Sequence, residues 1–327
     1  MLNEAASGTS RRGFLGRAAG AAAAVAGAGV GAGAIAKSAA AATGRTYTSG
    51  RFALDIDGVS CGSFRGLAGG NLENEVVNDL GPDHIVRKHI GNFKWSDCAI
   101  QVGSGMGGGM YDWVKSAFDR GYDSSAQRRA SIIVVGSRGE EAFRRSFHDA
   151  LITEVTFPKL DVSKTSAAII EAEFRSGQVS DSKPSGLPVV AAKQKAWLCS
   201  NFRFQIDGIN TTNRIAKVDS FTWKCVALPD GSLGLDVGNI VIACDVAILP
   251  DFQQWLANLQ QGADDERSGA LTIVGADFGG VLTLSLSNLG VYQLRPDHAP
   301  GQLPNGRFRA EMYCESLGWD VAPNKRP

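Results

Sequence analysis

The sequence predicts a mainly β protein: two tandem antiparallel β-barrel or sandwich modules, each with one packed α-helix, behind an N-terminal export leader. Three observations predict it. Phe52-Ala-Leu-Asp-Ile-Asp-Gly58 returns 150 positions later as Phe202-Arg-Phe-Gln-Ile-Asp-Gly208. Each copy is followed by alternating apolar patterns with a single helical stripe among them. The first 45 residues, rich in Ala and Gly, differ in composition from everything after them. The predicted division is a signal peptide over 1–45, a first module over 46–176, a linker over 177–198 and a second module over 199–322. A chain of 327 residues with 44% hydrophobic content has the length and apolar mass for a core in each module.

The leader opens on Ser10-Arg11-Arg12-Gly13-Phe14-Leu15, which matches the twin-arginine export consensus through Ser10, Arg11, Arg12, Phe14 and Leu15. An Ala/Gly stretch over 18–36 follows, and Lys37 with the small-residue run Ala39–Ala42 offers a cleavage site. Ala and Gly bury little area, so this stretch makes a poor permanent span. Contact with a membrane is expected only in transit. The predicted destination is periplasmic or extracellular, or cytoplasmic if the leader is not processed. Twin-arginine export carries folded proteins, so folding precedes it.

Charge narrows the partners. The chain has 33 basic and 33 acidic side chains. Residues 1–45 hold five of the bases and one acid, which leaves 28 basic and 32 acidic, a net of −4. That bulk charge excludes nonspecific nucleic-acid binding through a general positive field. Arg128, Arg129, Arg138, Arg144 and Arg145 cluster in sequence and read as a solvated loop and strand face. The six cysteines, Cys61, Cys98, Cys199, Cys225, Cys244 and Cys314, include no C-x-x-C pair. Their spacing fits neither a zinc ribbon nor a disulfide framework, and most read as buried thiols; one disulfide formed after export stays open.

In the first copy, Phe52, Leu54 and Ile56 alternate with polar or small residues, which puts three apolar side chains on one strand face. Asp57-Gly58 then supplies a hairpin turn. Phe202, Phe204 and Ile206 repeat the strand, closed by Asp207-Gly208. In the first copy the strand 99–102 leads through a Gly-rich loop to a helix over 110–118, where Met110, Trp113, Val114 and Ala117 form one face. In the second, the strand 240–246 leads to a helix over 250–259 with Phe252, Trp255, Leu256 and Leu259 on the same stripe. Strands at 131–135 and 270–274 come next. Those over 151–157 and 167–174 close the first copy, and those over 281–289 and 308–315 close the second. Between the copies, Ser176–Lys195 mixes Gly and Pro with Ser, Asp and Lys and reads as a connector.

The order of these motifs resembles the tail-tube protein family of contractile phages and related injection machines. Its carriers are Phe52–Gly58, Phe64-Arg-Gly-Leu-Ala-Gly-Gly70, Glu73-Asn-Glu-Val-Val77, Arg87–Asp97 and the helix with Trp113. Ile90 stands where that family usually has Pro, and Gln101-Val102-Gly103 replaces its usual strand ending. The likeness covers about 50–175 well. Over 200–320 it keeps the first strand, the helix and the later strands, but not the middle motif. It implies a structural role, with modules closed edge to edge in rings of six. Two modules per chain then imply a trimer acting as a pseudo-hexamer, with other tail-like or injection-machine components as partners. The segment 70–88 would be a long hairpin or loop reaching a neighbour. The resemblance does not account for the export leader.

Chemistry is sparse. Gly103–Gly109 lacks both the P-loop Lys and Gly-x-Gly-x-x-Gly spacing, so it reads as a connector. His84 and His89 have no indicated co-ligands. Ser146, His148 and Asp149 lack a nucleophile-elbow context. No catalytic, cofactor-binding or metal residue is predicted. Trp113 and Trp255 read as core anchors, while any exposed pair among Trp95, Trp197, Trp223 and Trp319 would offer a sugar-stacking surface. Three function classes follow: a ring or tube component, an exported monomeric β-rich binding protein, and an exported cofactor-containing enzyme.

Overall fold

A computed structural model describes residues 51–103, 106–119, 124–189, 197–211, 213–230, 232–275, 280–298 and 306–321. The leader motif from Ser10 to Leu15 lies outside them. Gly50–Pro327 forms one compact unit.

Strand β1 (Arg51–Ile56) buries Leu54 and Ile56 and turns at Asp57-Gly58 into β2 (Val59–Phe64). Both turn residues have positive φ, 53° and 85°, and Asp55 Oδ1 accepts the Gly58 N–H at 2.8 Å. That conformation matches the twist of a two-residue hairpin. After β3 (Gly66–Gly69), the hairpin of β4 (Leu72–Leu80) and β5 (Val86–Trp95) leaves the body and forms a two-stranded sheet of its own. Next come β6 (Cys98–Val102), helix α1 (Gly108–Asp119), β7 (Arg128–Val135), β8 (Glu141–Phe157), β9 (Leu160–Asp161), β10 (Ile170–Arg175) and β11 (Gln178–Ser182).

The remaining elements repeat this plan. They are β12 (Phe202–Ile206), β13 (Ile215–Val218), the hairpin β14 (Phe221–Ala227) with β15 (Leu233–Val237), β16 (Ile240–Asp245), helix α2 (Leu249–Gln260), β17 (Arg267–Val274), β18 (Gly280–Pro296) and β19 (Arg307–Val321). Pairing is antiparallel throughout. Six strands of the first sheet lie in the order β1-β7-β8-β10-β6-β3, and six of the second in the order β12-β17-β18-β19-β16-β13. Numbered along the chain, both orders read first, fourth, fifth, sixth, third, second.

The sheets also share strands. β14 pairs with the far half of β8, Phe221 opposite Phe157 and Lys224 opposite Glu154, while β9 pairs with β13. One apolar core runs continuously through both halves, with Trp113, Trp223, Trp255 and Trp319 among its largest fully buried side chains. Helix α1 covers it with Met110, Trp113, Val114 and Ala117, and Trp113 packs on Phe174. Helix α2 has Pro250 in its first turn, where no N–H donor is needed. It buries Phe252 and Trp255, and the Trp255 indole N–H donates to Asp265 O at 2.7 Å.

Four features differ from the sequence expectation. The connector contributes β11, which pairs with β8; Arg145 holds it through Asp181 at 2.7 Å. The strand expected at 151–157 begins at Glu141, because its polar first half lies between β7 and β11 and its arginines are paired. Asp207-Gly208 makes its turn, but only an isolated Ile206–Ile209 bridge follows rather than a partner strand. A hairpin occupies the middle of the second copy, where no counterpart to the first copy's middle motif was expected.

Candidate assembly surface

The β4–β5 hairpin carries the exposed apolar surface. In a strand, alternate residues share a face. Val76 pairs with Ile90 and Leu80 with Val86, so these four share one face of the ribbon. Their exposures are 58%, 72%, 69% and 51%, and Ile85 in the turn is 61% exposed. The other face is charged: His89 Nδ1 lies 3.2 Å from Asp79, and Arg87 makes a two-point pair with Asp83 at 2.8 and 3.0 Å. That pairing holds the Asp83 carboxyl below its usual range. Asn78 opposite Lys88 separates the two apolar pairs on the first face. Exposed apolar pairs on a ribbon with a charged back form an interaction surface rather than a core face. Gly69 and Gly70, both at positive φ, start the ribbon, and a Cβ at Gly70 would press on Phe147.

Sheet edges are the second feature. Among the described residues β2, β3, β12 and β15 each have one strand neighbour in their sheets, leaving a backbone edge open. β18 is also half open: β17 covers it only as far as Leu289, and among the described residues no strand pairs with Gln293–Pro296 on that side.

The residues with catalytic potential are engaged elsewhere. Ser146 Oγ lies 3.0 Å from Ser131 Oγ, while His148 Nε2 lies 2.9 Å from Ser180 Oγ, so the two do not meet. The Gly103–Gly109 loop lies partly outside the described residues; within it, the Gly107 N–H donates to Cys61 O at 2.6 Å. His84 sits at positive φ in the β4–β5 turn. Among the described residues no group of three or more His, Cys, Asp or Glu is placed to hold a metal. All six cysteines are thiols without a disulfide. Burial pushes Cys61 up to about 11 and Cys98 to about 12, so neither is a ready thiolate.

Three of the five clustered arginines are paired, and Arg129 and Arg138 are exposed. Arg128 lies near Asp57, Arg144 bonds Glu141 at 2.8 Å, and Arg145 bonds Asp181 and Gly70 O. Trp197, Trp223 and Trp319 are buried and Trp95 is half-buried, so the four offer no exposed stacking pair. Of the repeat hallmarks, Phe52 stacks on Phe64 at 5.5 Å. Ile56, Trp113, Ile206 and Trp255 are core residues, and Phe202 packs at the core's rim. Asp57, Gly58, Asp207 and Gly208 form the two turns. No helix among the described residues is long and apolar enough to cross a membrane.

No protein-family model matches this sequence, and no curated protein matches it. Solved structures do resemble it in fold. The tube-terminating cap of the anti-feeding prophage aligns at 16% identity and a TM-score of 0.36, over 43% of this chain and 94% of the cap. The sheath–tube complex of an extracellular contractile injection system aligns at 16% identity and 0.35, over 41% and 88%. The Hcp1 protein of E. coli EAEC 042 aligns at 13% identity and 0.29, over 38% and 94%. Each alignment spans less than half of this chain and nearly all of its counterpart.

Proposed function

We propose that this chain is a structural, non-catalytic component of a tail-tube-like assembly. It is one β module used twice, and it self-associates through sheet edges into a ring. The observation that carries the reading is the projecting β4–β5 ribbon, with Val76, Leu80, Val86 and Ile90 exposed on one face. An unpartnered apolar ribbon of this kind is a liability in a monomer and an asset in an assembly. The shared strand order of the two halves supports the duplicated module. Three chains would supply six modules. The twin-arginine leader supports a destination outside the membrane, reached after folding.

The test is the solution mass of the purified protein by light scattering across a hundredfold range of concentration, with negative-stain imaging of the same peak. A defined oligomer with a central hole supports the proposal. A monomer at every concentration sinks it and favours the exported binding protein.

A further inference from the structure

The two halves of the chain share one strand order, and one contact in the first half has no counterpart in the second. In the first half, β7 covers β8 from Glu141 to Ala150, where Arg128 is paired. Beyond that point the same side of β8 is covered by β14, with Glu154, Val155, Thr156 and Phe157 opposite Lys224, Trp223, Thr222 and Phe221. In the second half, β17 covers β18 as far as Leu289, where Arg267 is paired. The residues of β18 that match 154–157 are therefore Gln293, Leu294, Arg295 and Pro296. No strand covers them on that side among the described residues. The backbone bends alike in both strands: Asp149 and Asn288, each just before the last β7- or β17-paired residue, have φ of 50° and 52°.

The strand that would cover this edge is also identifiable. β14 is the first strand of a hairpin lying between β13 and β16. Trp223 pairs with Val237, and two residues separate that hairpin from β16. β4 is the first strand of a hairpin lying between β3 and β6. Leu72 pairs with Trp95, and two residues again separate the hairpin from β6. Leu72 is thus the counterpart of Trp223, and Asn71–Glu73 of Thr222–Lys224; the Ser96 N–H donates to Asn71 O as the Gly238 N–H does to Thr222 O. The outer edge of β14 is taken by β8, while among the described residues no strand takes the outer edge of β4. Among the described residues this joint leaves a donor ribbon without an acceptor in the first half and an acceptor edge without a donor in the second.

We infer that Asn71–Glu73 of one copy pair antiparallel with Gln293–Arg295 of a second copy, repeating between chains the joint that Thr222–Lys224 of β14 make with β8 within one. Gly70 stays outside the contact, because it is buried at positive φ, donates its N–H to Asp97 O and accepts from Arg145. This rests on the self-assembly proposed above and names its contact. Leu72 then faces Leu294 and Asn71 faces Arg295. The charge pattern is compatible but exchanged. Lys224 stands opposite Glu154 within the chain. Between chains the acid Glu73 comes from the ribbon, and the base Arg295, which already holds Glu311 at 2.6 Å within its own chain, lies diagonal to it on β18. Because donor and acceptor are different surfaces, the contact is head-to-tail and generates a ring or an open filament, not a two-fold dimer.

The test is cysteine pairing in the full chain, in a Cys225→Ser background that removes the one native thiol that is not buried. Asn71→Cys with Arg295→Cys, both at exposed sites, should give a ladder of covalent multimers on a non-reducing gel after mild oxidation. Chains carrying only one of the two changes, mixed, should stop at dimers. Leu72→Cys with Arg295→Cys, which places the thiols on opposite faces, should cross-link about tenfold less. Thr156→Cys with Thr222→Cys should close within one chain, which verifies fold and oxidation. If chains carrying Asn71→Cys and Arg295→Cys form no cross-link in a sample that scatters as a defined oligomer, this contact is overturned and self-association is left standing. A monomer at every concentration overturns both.

Discussion

Asp149 and Asn288 hold the same left-handed conformation, with φ of 50° and 52°, at matching places in β8 and β18. Each sits at a bulge, where the pairing with β7 or β17 shifts register. The extra residue bends the strand, so its second half turns away toward other partners. Side chains with a Cβ resist this region by about 1–2 kcal/mol, and Asp and Asn resist it least. Asp149→Ala is therefore expected to lower unfolding stability by roughly 1 kcal/mol, while Asp149→Gly should cost nothing or stabilise slightly. Chemical denaturation of both variants checks this. Equal losses for Ala and Gly would show that the bend does not depend on backbone strain.

Trp223 joins the two halves. It lies opposite Val155 on β8 and stacks on Phe118 of α1, with ring centroids 3.6 Å apart and planes at 17°. Trp223→Ala is expected to cost about 3–5 kcal/mol, through lost burial and the cavity left behind. Phe118→Leu in the same background should cost less than it does alone, with a coupling of about 0.5–1.5 kcal/mol for the stacked rings. A double-mutant cycle by urea unfolding measures both. Additive losses would mean that the rings touch without supporting one another.

The contrast between the two hairpins explains what the sequence made legible. The strand-turn pairs at Phe52–Gly58 and Phe202–Gly208, and the helices around Trp113 and Trp255, were readable because their periodicity and turn chemistry are local. The hairpin β14–β15 was not readable as the counterpart of β4–β5. Its outer strand is buried against β8, so Trp223 is selected for packing, while Leu72 at the matching place is exposed. The same backbone answers to different surroundings, and sequence similarity fades where the fold does not. The β11 strand was hidden for a similar reason: Gln178–Ser182 has no apolar alternation, and its place depends on Asp181 meeting Arg145 across the chain. The exposed face of β4–β5 could have been suspected from Val76, Leu80, Val86 and Ile90, but only the pairing register puts them on one face, as two pairs either side of Asn78 and Lys88.

Glu141 ties the start of β8 to the connector. Its buried carboxylate accepts two bonds from Arg144, at 3.1 and 2.8 Å, and two from Ser185, at 3.3 and 3.0 Å. The Arg144 bonds, first, and those from Ser185 hold its pKa below the usual carboxylate value. A depressed folded pKa means that the unfolded chain takes up the proton first as pH falls. The stabilisation is complete above about pH 4.3, the ordinary Glu value, and is lost as pH drops through the lower folded value. Glu141→Gln should cost about 2–3 kcal/mol at pH 7. The gap to the parent should close toward pH 3. Unfolding curves at pH 7, 5, 4 and 3 test this, and a gap that is constant with pH would assign the loss to shape rather than charge.

The thiols offer a check on packing. Cys61, Cys98, Cys199, Cys244 and Cys314 are buried and Cys225 is half-exposed. Burial also pushes the Cys314 thiol up to about 11 and raises that of Cys244. Reaction with a disulfide reagent at pH 8 should therefore titrate one thiol quickly in the native protein, and the other five only after denaturant is added. Two or more fast thiols would mean that the core opens near one of the buried cysteines.

The ribbon itself gives the sharpest separation of fold from assembly. Val76 and Ile90 face each other across β4 and β5 and touch no part of the core cluster. Replacing both by serine removes apolar surface that the monomer does not bury, so stability should stay within about 0.5 kcal/mol of the parent. Self-association should fall sharply, because each exposed side chain of this size contributes roughly 1.5–3 kcal/mol when fully buried at an interface. Two such losses amount to a weakening of about a hundredfold or more per contact. Light scattering of the double variant beside the parent, with matched unfolding curves, reads both quantities. A variant that assembles as well as the parent would remove the apolar face from the interface and leave the backbone edges to carry it. A variant that loses stability instead would place the ribbon in the folding of the chain rather than in its assembly.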